Sequence, residues 1–79
     1  MYYVYILESQ KEKYRYIGIT QDLKDRIREH NNGETKSNRS KAPYKIAWYC
    51  CIADKHKAYA FEKYLKSSSG YAFTAKHLL

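Results

Sequence analysis

The sequence has no long apolar segment. Its apolar residues occur in short runs, well below the ~20 consecutive residues that a membrane-spanning helix needs. Met1 leads directly into a tyrosine-rich run typical of a strand, so no signal peptide is recognisable. We therefore expect a cytoplasmic protein with no membrane segment.

Cysteine is scarce, and its placement excludes several kinds of site. Cys50 and Cys51 are adjacent, and neighbours on a strand point to opposite faces, so a disulfide between them would be strained. There is no CxxC pair and no histidine at zinc-ligand spacing. Phosphate-loop glycine spacing and Ser-His-Asp or Cys-His arrangements are also missing. We expect both cysteines to be reduced core residues.

Acidic residues are outnumbered by basic ones. Eight Asp and Glu stand against 15 Lys and Arg, which gives a net charge of +7. This excess favours a polyanion such as nucleic acid, or an anionic membrane surface. With 79 residues and no repeat, linker or low-complexity segment, residues 1–79 are expected to form a single domain.

Tyrosine is unusually frequent, with ten tyrosines against two phenylalanines and one tryptophan. A tyrosine combines a large apolar ring with a hydroxyl that can bond phosphate or water. Two interpretations stay open: a tyrosine-rich core, or several hydroxyls that line a polar pocket.

Three segments have strand character: residues 2–7, 14–20 and 45–52. The first is apolar on both faces, as in a central strand, and the polar segment 8–13 predicts a hairpin to the second. If the hairpin register allows it, tyrosines of the first two strands converge on one face of the sheet.

Helical segments alternate with these strands. Asp22 can cap a first helix that Gly33 stops, and Asp54 can cap a second helix over 55–67. Residues 34–45 are predicted as a loop. Ser67–Gly70 are expected to end the second helix, and 71–78 to form a short last helix. The order β-β-α-β-α-α predicts an α/β (α+β) fold with a three-stranded, mostly antiparallel sheet.

The wheel of the first helix separates two residues from the ordinary surface charges. Leu23 and Ile27 mark the buried stripe; His30 falls about 20° from Leu23 and Arg26 about 60° from it. The remaining charged residues point away, namely Lys24, Asp25, Arg28 and Glu29. Taken alone, Arg26 is compatible with a surface charge, and His30 with a packed core histidine.

On the second helix Glu62 lies at the margin of the apolar stripe, about 40° from Ala58 and 60° from Leu65. An ordinary ion pair with Lys66 at i,i+4 is the alternative to a functional role. The basic loop is open to the same two interpretations, because its cations either are solvated or bind phosphate. These cations are Lys36, Arg39, Lys41 and Lys45.

Together these residues fit phosphodiester hydrolysis. That reaction needs an activated water, a cation for the pentacovalent transition state, and a metal or acid for the leaving oxygen. Glu62 is a suitable ligand for Mg²⁺, and Arg26 can bind phosphate in a bidentate manner. Tyrosine hydroxyls or His30 can orient or deprotonate water, and nearby positive charge would lower the pKa of a tyrosine base.

The order of the motifs resembles GIY-YIG endonucleases. Tyr3-Val4-Tyr5, followed by Tyr16-Ile17-Gly18, is similar to the paired motif of that family. The segment Asp22-Leu23-x-x-Arg26-x-x-x-His30-Asn31-x-Gly33 is similar to its first helix, and Phe61-Glu62-x-x-Leu65-Lys66 to its late glutamate motif. The match covers nearly the whole chain. The sequence departs from the pattern at Tyr3, where the family has glycine, and at Ile19, where some members carry lysine.

The resemblance implies roles for individual residues. Tyr5 and Tyr16 would position or activate the attacking water, Arg26 would bind the scissile phosphate with His30 beside it, and Glu62 would hold one divalent cation, Mg²⁺ or Mn²⁺. The surface cations expected to contact nucleic acid are Lys36, Arg39, Lys41, Lys45 and Arg28.

The resulting hypothesis is a metal-dependent DNA endonuclease, a monomer or weak homodimer, that selects structure rather than sequence because no further recognition domain is evident. A catalytically weak nucleic-acid-binding module and an RNA nuclease are alternatives. A basic domain that binds an unrelated protein is a third.

Overall fold

The computed structural model of the chain describes residues 1–34 and 36–79, with the side chains of residues 36–38 outside the described part. Its centre is a three-stranded antiparallel sheet of β1 (Tyr2–Ser9), β2 (Arg15–Thr20) and β3 (Tyr44–Ile52), in the order β2-β1-β3. β1 is central, as predicted, because its apolar residues are covered on both faces. Val4, Tyr5, Ile6 and Leu7 are all fully buried. The strand bounds differ from the predicted ones by one or two residues.

The register of the β1–β2 hairpin decides which tyrosines meet. Tyr5 lies opposite Gly18 and Leu7 opposite Tyr16, so Tyr5 and Tyr16 are diagonal neighbours on one face. Their ring centroids are 6.2 Å apart. The expected convergence of tyrosines from the two strands is confirmed.

Helix α1 (Leu23–Asn31) covers this tyrosine face. The Asp22 side chain accepts a hydrogen bond from the backbone N–H of Asp25 at 3.0 Å, which confirms the predicted cap. Gly33 follows the helix with a φ of 74°, in the left-handed region that favours glycine. Leu23 and Ile27 pack against the buried side chains of Tyr5, Leu7 and Tyr44.

The segment predicted as a loop over 34–45 is more ordered than expected, since residues Lys36–Lys41 form a 3₁₀ turn. Contacts with the β1–β2 hairpin hold it: Lys41 pairs with Glu12 at 3.0 Å, and the Ser9 hydroxyl donates to the Lys41 carbonyl. The sequence could not reveal these contacts because they join residues about 30 positions apart.

Helix α2 (Lys55–Leu65) covers the other face of the sheet, where Ala58 and Leu65 pack against Val4. Asp54 caps it through a 3.0 Å bond from the Lys57 N–H, as predicted. The helix ends two residues before the predicted bound.

The last part of the chain differs from its prediction. Helix α3 (Ser68–Phe73) begins at Ser68 rather than at 71, and a π-helical turn over Thr74–Leu78 continues it. Ser67 caps α3 by accepting from the Gly70 N–H at 3.1 Å. Gly70 packs so closely that an added Cβ would contact the Tyr64 carbonyl oxygen. The Ser67–Gly70 run therefore both ends α2 and opens α3.

The cysteines are free, as expected, but only Cys50 is partly buried, whereas Cys51 is exposed. The core assignment is therefore wrong for Cys51, because adjacent residues of β3 face opposite sides of the sheet and only Cys50 packs against the cluster under α2. Within the described ranges, no helix has the length and apolar character needed to cross a bilayer.

Candidate active site

The Tyr5 hydroxyl is the meeting point of three elements. It lies 3.2 Å from Nε2 of His30, and both residues are fully buried. The half-buried Tyr16 ring packs against His30 with centroids 4.7 Å apart. Strand β1 thus contributes Tyr5, strand β2 contributes Tyr16 and helix α1 contributes His30. The burial of His30 confirms its predicted place in the apolar stripe.

Gly18 makes room for this cluster. A Cβ at this position would contact the Tyr5 hydroxyl, and would lie 2.6 Å from Cζ of Tyr5 and 2.9 Å from Cε2 of Tyr16. Glycine therefore lets both motif rings lie over β2.

Tyr44 is a member of the cluster that the sequence did not single out. Its ring is 3% exposed and lies 5.9 Å from that of His30. The Asn31 side chain positions it, accepting from the Tyr44 N–H at 2.6 Å and donating to its carbonyl at 3.2 Å. The only sequence indication is an aromatic residue at the end of a polar loop, which by itself does not predict burial.

Burial controls the ionisation of Tyr5. Desolvation raises the pKa of its hydroxyl to about 12, while the nearby Arg26 guanidinium favours the ionised form and lowers the pKa in part. The charges of Tyr16 and Glu62 act in the same direction as burial. The net shift is upward, opposite to the lowering expected for a tyrosine base.

Arg26 differs from its neighbour Arg28, as the helix wheel predicted. Nε of Arg26 is buried with no hydrogen-bond partner among the described residues, while its Nη1 donates to Glu29 at 3.1 Å. Arg28 is exposed and pairs with Asp25 at 2.7 Å. Glu29, predicted to point away, turns toward Arg26 and is 28% exposed, because an ion pair at i,i+3 is within its reach.

Glu62 lies at the margin of the buried face of α2, with 15% of its side chain exposed. Its carboxylate pairs with Lys66 at 2.8 Å, so the ordinary i,i+4 ion pair is present. Its charge nevertheless contributes to the raised pKa of Tyr5. Among the described residues, no group of three or more His, Cys, Asp or Glu could hold a metal ion.

The basic surface residues occupy different environments. Arg39 and Lys45 are exposed, whereas Lys41 pairs with Glu12 and lies 5.4 Å above the Tyr14 ring. The Lys36 side chain lies outside the described part of the chain. The contacts of Lys41 lead to the hairpin rather than to the tyrosine–histidine cluster.

Comparison with known proteins places these features in a family. The family model described as the GIY-YIG catalytic domain matches residues 1–74. A UPF0213 protein of Clostridium perfringens is 39% identical over 67 residues, which are 84% of this chain and 71% of that protein. One of Haloquadratum walsbyi is 37% identical over 84% of this chain and 74% of its own length.

A solved structure gives the same assignment. The solution NMR structure of a UPF0213 protein from Bacillus halodurans matches with a TM-score of 0.58 and 28% identity, over 95% of this chain and 82% of that one. The resemblance in the motifs and the predicted fold are both confirmed. The chain therefore belongs to the GIY-YIG family of nuclease-type catalytic domains.

Proposed function

We propose that the chain, as one domain over residues 1–79, is an endonuclease that hydrolyses phosphodiester bonds, with DNA as the first candidate substrate. The carrying observation is the Tyr5 hydroxyl. It contacts His30 at 3.2 Å, and the charges of Arg26, Tyr16 and Glu62 all act on its ionisation. Residues of β1, β2 and α1 thus meet at one point, and the charge of Glu62 on α2 acts on it from a distance, which supports a built site rather than separate surface charges.

Glu62 fits the role of ligand to one divalent cation, Mg²⁺ or Mn²⁺, which membership in the family implies. Mg²⁺ usually keeps several waters and binds through one or two carboxylates, so a site needs no group of three protein ligands. The carboxylate is largely buried, and its ion-pair partner Lys66 is an exposed, displaceable side chain. When bound, such an ion supplies positive charge for the oxygens of the reacting phosphate.

Arg26 is the proposed phosphate ligand. Its side chain is 40% exposed while its Nε is buried, so the guanidinium can reach a substrate from a fixed position. A guanidinium offers two parallel N–H donors to phosphate and neutralises the charge that develops in the transition state.

The three aromatic residues divide the remaining roles. Tyr5 is buried, and with a pKa of about 12 it stays neutral near pH 7, which supports a role in orienting His30. The half-buried Tyr16 contacts His30 and is accessible to the attacking water. The water oxygen bonds to phosphorus as the bond to the leaving strand breaks. Tyr16 and His30 carry away the water's proton, and the leaving oxygen takes up a proton from the solvent, which gives a phosphate monoester and a hydroxyl.

Contacts with phosphates position a protein on nucleic acid but carry no sequence information. The exposed Arg39 and Lys45, together with the net charge of +7, supply this kind of contact. They support selection by backbone and shape rather than by base sequence.

The test is a cleavage panel of single-stranded, duplex, flapped and branched DNA and of RNA, with Mg²⁺, Mn²⁺ or EDTA. We expect cation-dependent cutting that Glu62→Gln and Arg26→Ala each lower by about 10²–10³-fold. Arg28→Ala should only weaken binding, and Glu34→Gln, which changes an exposed acid paired with Arg28, is the matched control for Glu62→Gln.

Equal effects of Arg26→Ala and Arg28→Ala, or full activity of Glu62→Gln, would contradict the mechanism. Binding without cutting on every substrate would favour the alternative of a nucleic-acid-binding module. Cutting of RNA alone would favour the RNA nuclease.

A further inference from the structure

A cavity of about 1140 Å³ lies at the hairpin end of the sheet, on the face that α2 covers, whereas the tyrosine–histidine cluster of the candidate site lies on the opposite face. Two of its lining residues connect it with that site. Tyr16 lines the cavity and packs 4.7 Å from His30. Lys66 also lines it and holds the Glu62 carboxylate at 2.8 Å. Because β2 is an edge strand, a nucleic-acid strand bound at Tyr16 and Glu62 can pass this edge and reach the cavity.

The charges of the cavity favour an anion. Glu8 is already neutralised by Arg15 at 3.3 Å, and Glu12 by Lys41 at 3.0 Å. Four basic residues line the cavity against these two acids, namely Lys13, Arg15, Lys45 and Lys66. The exposed ammonium groups of Lys13 and Lys45 are well placed to attract phosphates.

Aromatic rings accompany these charges. Tyr14, Tyr16 and Tyr71 line the cavity, and Tyr71 is 68% exposed, although a large ring is usually better covered. A positive groove with exposed aromatic rings is the combination that binds single-stranded nucleic acid, because bases stack on the rings while cations follow the backbone. The volume is slightly above the roughly 300–1,000 Å³ of sites that take drug-sized ligands, which gives room for a few nucleotides.

We propose that the cavity binds an unpaired segment of the nucleic-acid strand next to the phosphodiester that is cut, with a base stacked on Tyr71 and phosphates held by Lys13 and Lys45. The position of this segment relative to the cut rests on the proposed function. The binding of this segment to the cavity does not depend on the proposed function, so binding and cleavage can be tested separately.

The experiment measures binding of a fluorescent oligothymidylate of about eight nucleotides by anisotropy, in EDTA so that no cutting intervenes. Tyr71→Ala should weaken binding by at least about fivefold, since stacking of one base is lost. Tyr59→Ala is the matched control, because this ring is 48% exposed and packs against Tyr2 outside the cavity. The affinity of Tyr59→Ala for the oligonucleotide should stay within about twofold of that of the parent protein.

Absence of oligonucleotide binding, or equal effects of Tyr71→Ala and Tyr59→Ala, would each overturn this proposal. Cleavage of duplex DNA in the same preparation would leave the proposed function intact in that case. Conversely, Tyr71-dependent binding without cutting of any substrate would support the cavity and contradict the nuclease mechanism.

Discussion

At the scale of single residues, Gly18 is the most constrained position of the site. Gly18→Ala should force the Tyr5 and Tyr16 rings apart, because the new Cβ would overlap both of them. We expect a loss of about 1–3 kcal/mol in stability and a large loss of cleavage. Urea denaturation and cleavage rates measure the two effects.

Gly33→Ala is the control for that substitution. Its positive φ of 74° strains an alanine by roughly 1–2 kcal/mol, but the nearest atom beyond its neighbours is Cβ of Arg39 at 3.6 Å. A similar loss of stability with cleavage retained is expected. If both variants cut equally well, Gly18 does not position the tyrosines.

Ionisation of Tyr5 lowers the free energy of unfolding at alkaline pH. Its pKa of about 12 in the folded protein exceeds the value of 10.0 for a free tyrosine, so the folded state keeps a proton that the unfolded state releases. The contribution of roughly 2–3 kcal/mol is complete below pH 10 and is lost as the pH rises toward 12.

The pKa values of Tyr3 and Tyr44 are raised as well. The contribution of Tyr5 to the pH dependence of stability is therefore the difference between the parent protein and Tyr5→Phe. Denaturation of the parent and Tyr5→Phe from pH 8 to 12 measures it, and the parent should lose more stability over this range. Parallel curves for the two proteins would show that Tyr5 does not titrate differently on folding.

Residue roles could be predicted where a helix wheel was enough. The wheel placed His30 in the core and separated Arg26 from Arg28 because both statements depend on one helix alone. It could not predict that Tyr44 joins His30, or that burial outweighs Arg26 in setting the pKa of Tyr5. Those facts depend on strand register and on contacts between distant segments.

At the scale of elements, the end of α2 shows how local sequence can mislead. Asp22 and Asp54 are recognisable as caps from the sequence because each precedes a clear apolar stripe. Ser67 caps α3 in the same way but follows a helix directly, so its sequence context predicts only the end of α2. Close packing of Gly70 on the Tyr64 carbonyl, which permits the turn, depends on tertiary structure.

Ser67→Ala should therefore destabilise the protein by about 1 kcal/mol, since the Gly70 N–H loses its acceptor. Thermal denaturation measures this, and Ser69→Ala is the control because this exposed residue forms no side-chain hydrogen bond within the described ranges. A larger effect at Ser69 would mean that the helix begins elsewhere.

At the scale of the whole molecule, the charge of +7 makes nucleic-acid binding sensitive to salt. The logarithm of the binding constant should fall linearly with that of the salt concentration, with a slope near −0.9 per phosphate neutralised on duplex DNA. Arg39→Ala should make this slope shallower by about one unit if this exposed residue contacts a phosphate.

Lys57→Ala is the control, because Lys57 is an exposed cation in the first turn of α2. Titrations between 50 and 200 mM salt are the measurement. Equal changes in slope for the two variants would indicate that charge acts without a defined binding face.

The central position of β1 also has a consequence for the order of assembly. Tyr5 pairs with Gly18 across a short hairpin and with Tyr49 across a segment more than three times as long. Closing the longer loop costs about 1 kcal/mol more entropy, so we expect the hairpin to form first and β3 to add later. Ile17→Val should then mainly slow folding, whereas Trp48→Phe should mainly speed unfolding. The two motif tyrosines would meet during the first of these steps, before α2 brings Glu62 to them.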